Sequence, residues 1–148
     1  MKKLVLIMVT AMITSLTYAQ KMKEKEVPTS VKIAFQKQYP NAKETKWKKE
    51  NGNFEAEFEI KEIEYSVLID TKGNILETEL EIKADELPAN AKDYISKNYK
   101  EQKIKEAAKI TDARGIVTYE AEIKGNDLIF DSNGNFIRVE SEQKKIND

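Results

Sequence analysis

The chain has 148 residues, with 25 basic and 26 acidic side chains, no cysteine and no histidine. Without cysteine there is no disulfide, thiol nucleophile or thiolate metal site; without histidine the usual general base near neutral pH and the commonest metal ligand are missing. The balanced charge offers no basic stripe for nucleic acid or anionic lipid, so neither is expected as a partner.

In chain order, Lys2 and Lys3 precede an apolar stretch from Leu4 to Leu16, and Thr17 and Ala19 supply small residues for a signal peptidase. This predicts a signal peptide over residues 1–19, cleaved after Ala19, and a periplasmic or secreted protein. The apolar stretch is shorter than the roughly 20 residues that span a bilayer, so no membrane insertion is expected once the leader is removed. Lipid attachment needs a cysteine at the processing site, and there is none. Cleavage removes two lysines and moves the formal charge from −1 to −3. About 130 residues then remain, enough for one or two small cores.

Residues 20–26 read as a polar lead-in. A pattern opening on Val27-Pro28 then recurs at Leu87-Pro88. Val31, Ala34, Phe35 and Tyr39 in the first copy, and Ala91, Tyr94, Ile95 and Tyr99 in the second, share one amphipathic-helix template. Pro28 and Pro88 suit helix starts, and Pro40 stops the first helix.

After each helix the periodicity changes from 3.6 to 2. Asn51-Gly52 predicts a two-residue hairpin, because both central positions of a type I′ turn have positive φ. Pairing Glu50 with Asn53 sets Trp47 opposite Ala56 and Thr45 opposite Phe58 on an apolar face. On the other face Lys48 opposes Glu55 and Lys46 opposes Glu57. The sheet is expected to continue through Tyr65, Val67 and Ile69, turn at Asp70 to Asn74, and return with Leu76, Thr78, Leu80 and Ile82.

The second copy repeats this order: a strand from Ile104 to Ile110, a turn from Asp112 to Gly115, then Tyr119-Glu120-Ala121-Glu122-Ile123 echoing Phe54-Glu55-Ala56-Glu57-Phe58. Leu128 to Phe136 likewise echoes Val67 to Ile75, and the length differences fall in hairpin loops. The expected organisation is copy one over residues 27–83, copy two over 84–140 and a polar tail over 141–148. The connection Lys83-Ala84-Asp85-Glu86 is short, so the copies are expected to pack together, through a shared core or a continuous sheet.

The runs Tyr39-Pro40-Asn41-Ala42-Lys43, Phe54-Glu55-Ala56-Glu57-Phe58 and Tyr65-Ser66-Val67-Leu68-Ile69-Asp70, with their second-copy echoes Glu106-Ala107-Ala108-Lys109-Ile110 and Asp127-Leu128-Ile129-Phe130-Asp131, resemble the β-lactamase-inhibitor-like, PepSY-like family of exported bacterial proteins. The resemblance covers roughly Val27 to Glu140. It implies an α+β fold in which a helix packs on a four-stranded antiparallel sheet, present twice. No stretch matches the enzyme-binding loops of the inhibitor proteins residue by residue, so no inhibitory residue is carried over.

Three residue sets have the composition of a site. Asp70-Thr71-Lys72-Gly73-Asn74 and Asp131-Ser132-Asn133-Gly134-Asn135 have oxygen donors at alternate positions, as calcium loops do, with Glu81 and Glu142 where a closing carboxylate belongs. Lys72 opposes a cation, and Asp followed by Gly is what a tight hairpin turn requires. Glu55, Glu57 and Glu59 with Glu77, Glu79 and Glu81 resemble paired glycosidase acids, but facing lysines would keep them ionised, whereas a general acid needs a raised pKa. Trp47, Tyr65, Tyr119 and Phe136 could form a binding platform, yet Trp47 reads more naturally as a core plug, and Tyr39 and Tyr99 as half-buried with hydroxyls in water.

No catalytic, cofactor-binding or metal-binding residue is assigned, and no cofactor is expected. The sequence points to a non-catalytic binding module that acts on a protein partner through its surface, with an inhibitor-like role toward an envelope enzyme as one form. The alternative is an envelope protein that binds a small ligand or cation.

Overall fold

Each amphipathic segment is followed by alternating segments, and in the computed structural model, which describes residues 20–141, this produces two helices and nine strands. In chain order they are β1 (Gln20–Met22), α1 (Thr29–Gln38), β2 (Lys43–Glu50), β3 (Asn53–Ile60), β4 (Ile63–Ile69), β5 (Ile75–Glu81), α2 (Ala89–Asn98), β6 (Glu106–Asp112), β7 (Val117–Ile123), β8 (Asn126–Asp131) and β9 (Phe136–Ser141). The expected leader at residues 1–19, and the expected tail beyond Ser141, lie outside the described residues. Single 3₁₀ turns at Glu24–Glu26 and Ala84–Glu86 lead into the two helices.

The strands form one antiparallel meander in simple sequence order. Of the two ways of packing the copies expected from the sequence, it is the continuous sheet that forms, in place of a separate four-stranded sheet for each copy. β5 pairs with β6 from Glu77 opposite Asp112 to Glu81 opposite Ala108, and the Ile82 N–H extends the ladder to the Ala107 carbonyl at 2.9 Å. The short connection brings β5 and β6 within pairing distance, and pairing satisfies backbone groups that two sheet edges would leave open.

The segment read as a polar lead-in is structured. β1 pairs with β2, Met22 opposite Trp47, as Ile82 follows the end of β5 to meet Ala107. The end of β5 therefore does for copy two what β1 does for copy one.

Directly opposed residues share a face, so the register carries one face across the whole sheet. Tyr65 opposes Leu80, Leu80 opposes Lys109, and Lys109 opposes Tyr119, so both helices cover the same side. Beneath α1 lies a core of Val27, Val31, Phe35, Trp47, Phe54, Ala56, Phe58, Val67 and Ile69. Beneath α2 lies a second, of Leu87, Ala91, Ile95, Ala107, Ala121, Ile123, Leu128 and Phe130. Trp47 is the plug the sequence suggested, 5% exposed and edge-on to Phe35 with centroids 5.1 Å apart.

Three local readings need correction. Glu50 opposes Asn53 and Trp47 opposes Ala56 as expected, but the pairing shifts between Lys43 and Lys46, with Glu44 at φ 53°, so Thr45 is not in regular register with Phe58. Ile75, not Leu76, opposes Ile69, because an extra residue is accommodated there. β6 begins at Glu106 rather than Ile104; before it, the Lys105 N–H already bonds the Glu122 carbonyl at 2.9 Å.

Candidate functional site: the helix-free face of the sheet

Strand parity that sends Trp47, Ala56 and Val67 to the core sends Lys46, Lys48, Glu55, Glu57, Glu59, Glu64, Glu77, Glu79, Glu81, Glu106, Glu120, Glu122, Arg138 and Glu140 to the opposite face. A groove of about 510 Å³ lies there, lined by eight glutamates (Glu44, Glu57, Glu59, Glu64, Glu79, Glu81, Glu106, Glu120) and a single cation, Lys46.

The face is polarised. At the β1–β2 end Lys21 opposes Lys48, and Lys48 forms ion pairs with Glu55 (3.8 Å) and Glu57. Burial alone would lower the Lys48 pKa, but the hydrogen bond that Lys48 donates to Glu57 and the charges of Glu55, Glu57 and Glu50 outweigh it and leave the ammonium above its ordinary value. Ser66, between β3 and β5, donates to Glu55 at 2.8 Å. In copy two Lys105 reaches both oxygens of the buried Glu122 at 3.0 Å.

The middle of the groove is different. Glu59 stands directly opposite Glu64, and the register continues that row to Glu81. Among the described residues no ion pair forms with Glu59, Glu64 or Glu81. Like charges opposed across strands destabilise a sheet. The sequence reading paired the β3 and β5 glutamates directly and missed Glu64 between them. It also missed Glu106 and Glu120, which join the same groove only because the sheet runs on through β5 and β6. Their signal was the alternation itself, Glu62-x-Glu64 and Glu120-x-Glu122.

The other sets lie elsewhere. In the Asp70 turn, Oδ1 accepts the N–H groups of Lys72 (2.8 Å) and Asn74 (2.9 Å), and Oδ2 accepts the Asn74 amide at 2.8 Å. Asp131 repeats this with Asn133 and Asn135. Asp112 accepts the N–H groups of Arg114 and Ile116 and the Arg114 guanidinium. These bonds, led by the Asn74, Asn135 and Arg114 side chains, hold the three carboxyls below the ordinary aspartate range. The turn oxygens that resembled calcium donors are thus committed to closing their own turns, and the described residues hold no metal-type cluster of acidic side chains. Of the proposed closing carboxylates, Glu81 lies on the helix-free sheet face and Glu142 falls outside the described residues.

The aromatic residues face the helices. Tyr65 stacks on Phe58 at 5.5 Å and Phe136 on Tyr94 at 4.5 Å. Tyr39 is half-buried as expected, but its hydroxyl lies 3.1 Å from the Thr78 hydroxyl of β5.

A family model described as "Putative beta-lactamase-inhibitor-like, PepSY-like" matches residues 15–77 and again residues 65–138. The chain belongs to this family. Two PepSY-like copies thus account for nearly the whole described chain. The fold resembles a solved structure described as one of the "putative periplasmic proteins" of Bacteroides eggerthii, with 16% identity, a TM-score of 0.72 and coverage of 78% of this chain and 88% of that one. It also resembles a DUF2874 family protein from Bacteroides uniformis (17% identity, TM-score 0.69, 77% and 88% covered). A third similar structure is a BLIP-like protein from Bacteroides fragilis (20% identity, TM-score 0.63, 77% and 86% covered). At these identities the PepSY-like fold is what is shared. No curated protein matches the chain. Among the described residues no helix is long and apolar enough to cross a membrane.

Proposed function

We propose that the protein is an exported, non-catalytic binding module that engages a cationic protein surface through the helix-free face of its sheet. The boundaries of its two copies are residues 27–83 and 84–140, each contributing one helix and four of the nine strands, with β1 preceding the first. The observation that carries the reading is the row Glu59, Glu64 and Glu81, where carboxylates are set side by side and, although Lys43 opposes Glu59 on β2, none forms an ion pair among the described residues. That arrangement costs folding stability, and a lysine- or arginine-bearing partner would offset it on binding. An inhibitor-like role toward an envelope enzyme is one form of this activity. The cation-binding alternative loses its main support, because Asp70 and Asp131 spend their oxygens on their own turns.

The test is Glu64→Lys. The substitution relieves opposition with Glu59, so the fold gains a few tenths to about 1 kcal/mol in urea unfolding. At the same time, a partner captured from envelope extracts by the unaltered protein is lost. If the variant retains the partner, or nothing is captured by either form, the reading fails.

A further inference from the structure

β9 ends the sheet, and the repeat shows what the equivalent position does. Arg138, Val139 and Glu140 correspond, 61 positions on, to Glu77, Thr78 and Glu79 of β5, whose outer edge is covered by β6. Among the described residues nothing pairs with the outer edge of β9. Sheet edges are commonly guarded by lysine, proline or a very short strand. The opposite edge obeys this rule: β1 has three residues, and its Lys21 sits beside Lys48. β9 is longer and guarded only by the bulge at Ile137 and by two opposite charges, Arg138 and Glu140, that offset each other, while Ile137 and Val139 stay 46% and 44% exposed.

We propose that β9 is a self-pairing edge, through which two copies of the chain join antiparallel across a two-fold axis at Val139 to form one sheet of double width. The segment is its own charge complement in that register. Val139 faces Val139, on the side of the helices, because it opposes the buried Leu128. On the helix-free side Arg138 of one copy opposes Glu140 of the other, and the reverse contact is made by symmetry.

Within one strand Arg138 Nε already donates to Glu140 Oε1 at 2.6 Å. Pairing therefore closes a square of alternating arginine and glutamate in which each neighbour carries the opposite charge. It also places a second cation at the end of the acidic row Glu106, Glu122, Asp127 and Glu140. The seam uses main-chain hydrogen bonds plus one aliphatic strip, so the association belongs to the weak, transient class. An isologous β9–β9 contact closes at two copies, whereas β9 on β1 would grow into an open polymer.

Analytical ultracentrifugation of the protein purified after export, from about 10 μM to about 1 mM, tests this. The expected result is a concentration-dependent dimer. Arg138→Glu and Glu140→Arg each weaken it at least about tenfold, because like charges then oppose across the axis. The double swap carrying both substitutions restores it to within about threefold, and Val139→Lys abolishes it. All three positions are at the surface, so circular dichroism should show each variant folded. A monomer at every concentration, species that keep growing beyond two copies, or a double swap no tighter than the single variants would each overturn the proposal.

Discussion

At the scale of single residues, the three aspartates that open the hairpin turns have their ionisation shifted by folding. Asp70, Asp112 and Asp131 accept hydrogen bonds from their own turns, and their folded pKa values lie below the ordinary 3.8. A group whose pKa is depressed by folding stabilises the native state fully above its unfolded value and loses that contribution as pH falls through the folded value. The melting temperature should therefore be flat from about pH 7 to 5 and fall below about pH 4. Replacing all three by asparagine should flatten this acid limb, and an unchanged slope in the triple variant would show that the turns do not supply it. Lys48 acts in the other direction: its raised pKa gives stability that is complete below the ordinary lysine value and is lost as pH rises past 10.5.

At the scale of elements, the same turns fasten the helices. The Ser30 hydroxyl at the start of α1 donates to the Thr71 carbonyl at 2.9 Å, and Asn90 of α2 donates to the Asn133 carbonyl at 3.0 Å. The turns press so closely that a Cβ on Gly73 would lie 2.9 Å from the Ser30 carbonyl oxygen, and one on Gly134 2.7 Å from Pro88 Cβ and 2.9 Å from the Ala91 nitrogen. Both glycines also have positive φ. Gly73→Ala and Gly134→Ala should each cost about 2–4 kcal/mol, whereas Gly115→Ala, with the same backbone strain and open space around it, should cost about 1 kcal/mol. Urea unfolding of the three variants checks the contrast, and equal costs would refute the close-approach argument. The turn chemistry of Asp70 and Asp131 was legible because aspartate and glycine act within a few residues. The helix it touches was not, since that contact joins residues about forty positions apart. The β2–β3 register was legible from Asn51-Gly52 up to Lys46 and failed at Glu44, where a bulge leaves no mark in polarity. The acidic set was visible strand by strand, but its extent depended on β5 pairing with β6, which alternation does not encode.

At the scale of the molecule, that pairing decides whether the two copies are separate folding units. Each core is small, and a lone copy of under 60 residues would be marginal. The ladder from Glu77 to Ile82 and the contact from Tyr39, just past the end of α1, to Thr78 in β5 tie copy one to the strand on which copy two is built. Phe130 lies wholly in the second core, fully buried and edge-on to Tyr94 and Phe136. Trp47, the single tryptophan, lies wholly in the first. Phe130→Leu should destabilise its own core by about 1–2 kcal/mol. If the sheet folds as one cooperative unit, Trp47 fluorescence, which senses only copy one, should shift its urea midpoint by as much as far-ultraviolet circular dichroism, which senses both. A Trp47 transition that stays in place while the dichroism signal splits would mean that the β5–β6 ladder joins two independently stable halves. In that case the nine-stranded sheet would be continuous in its hydrogen bonds but not in its thermodynamics.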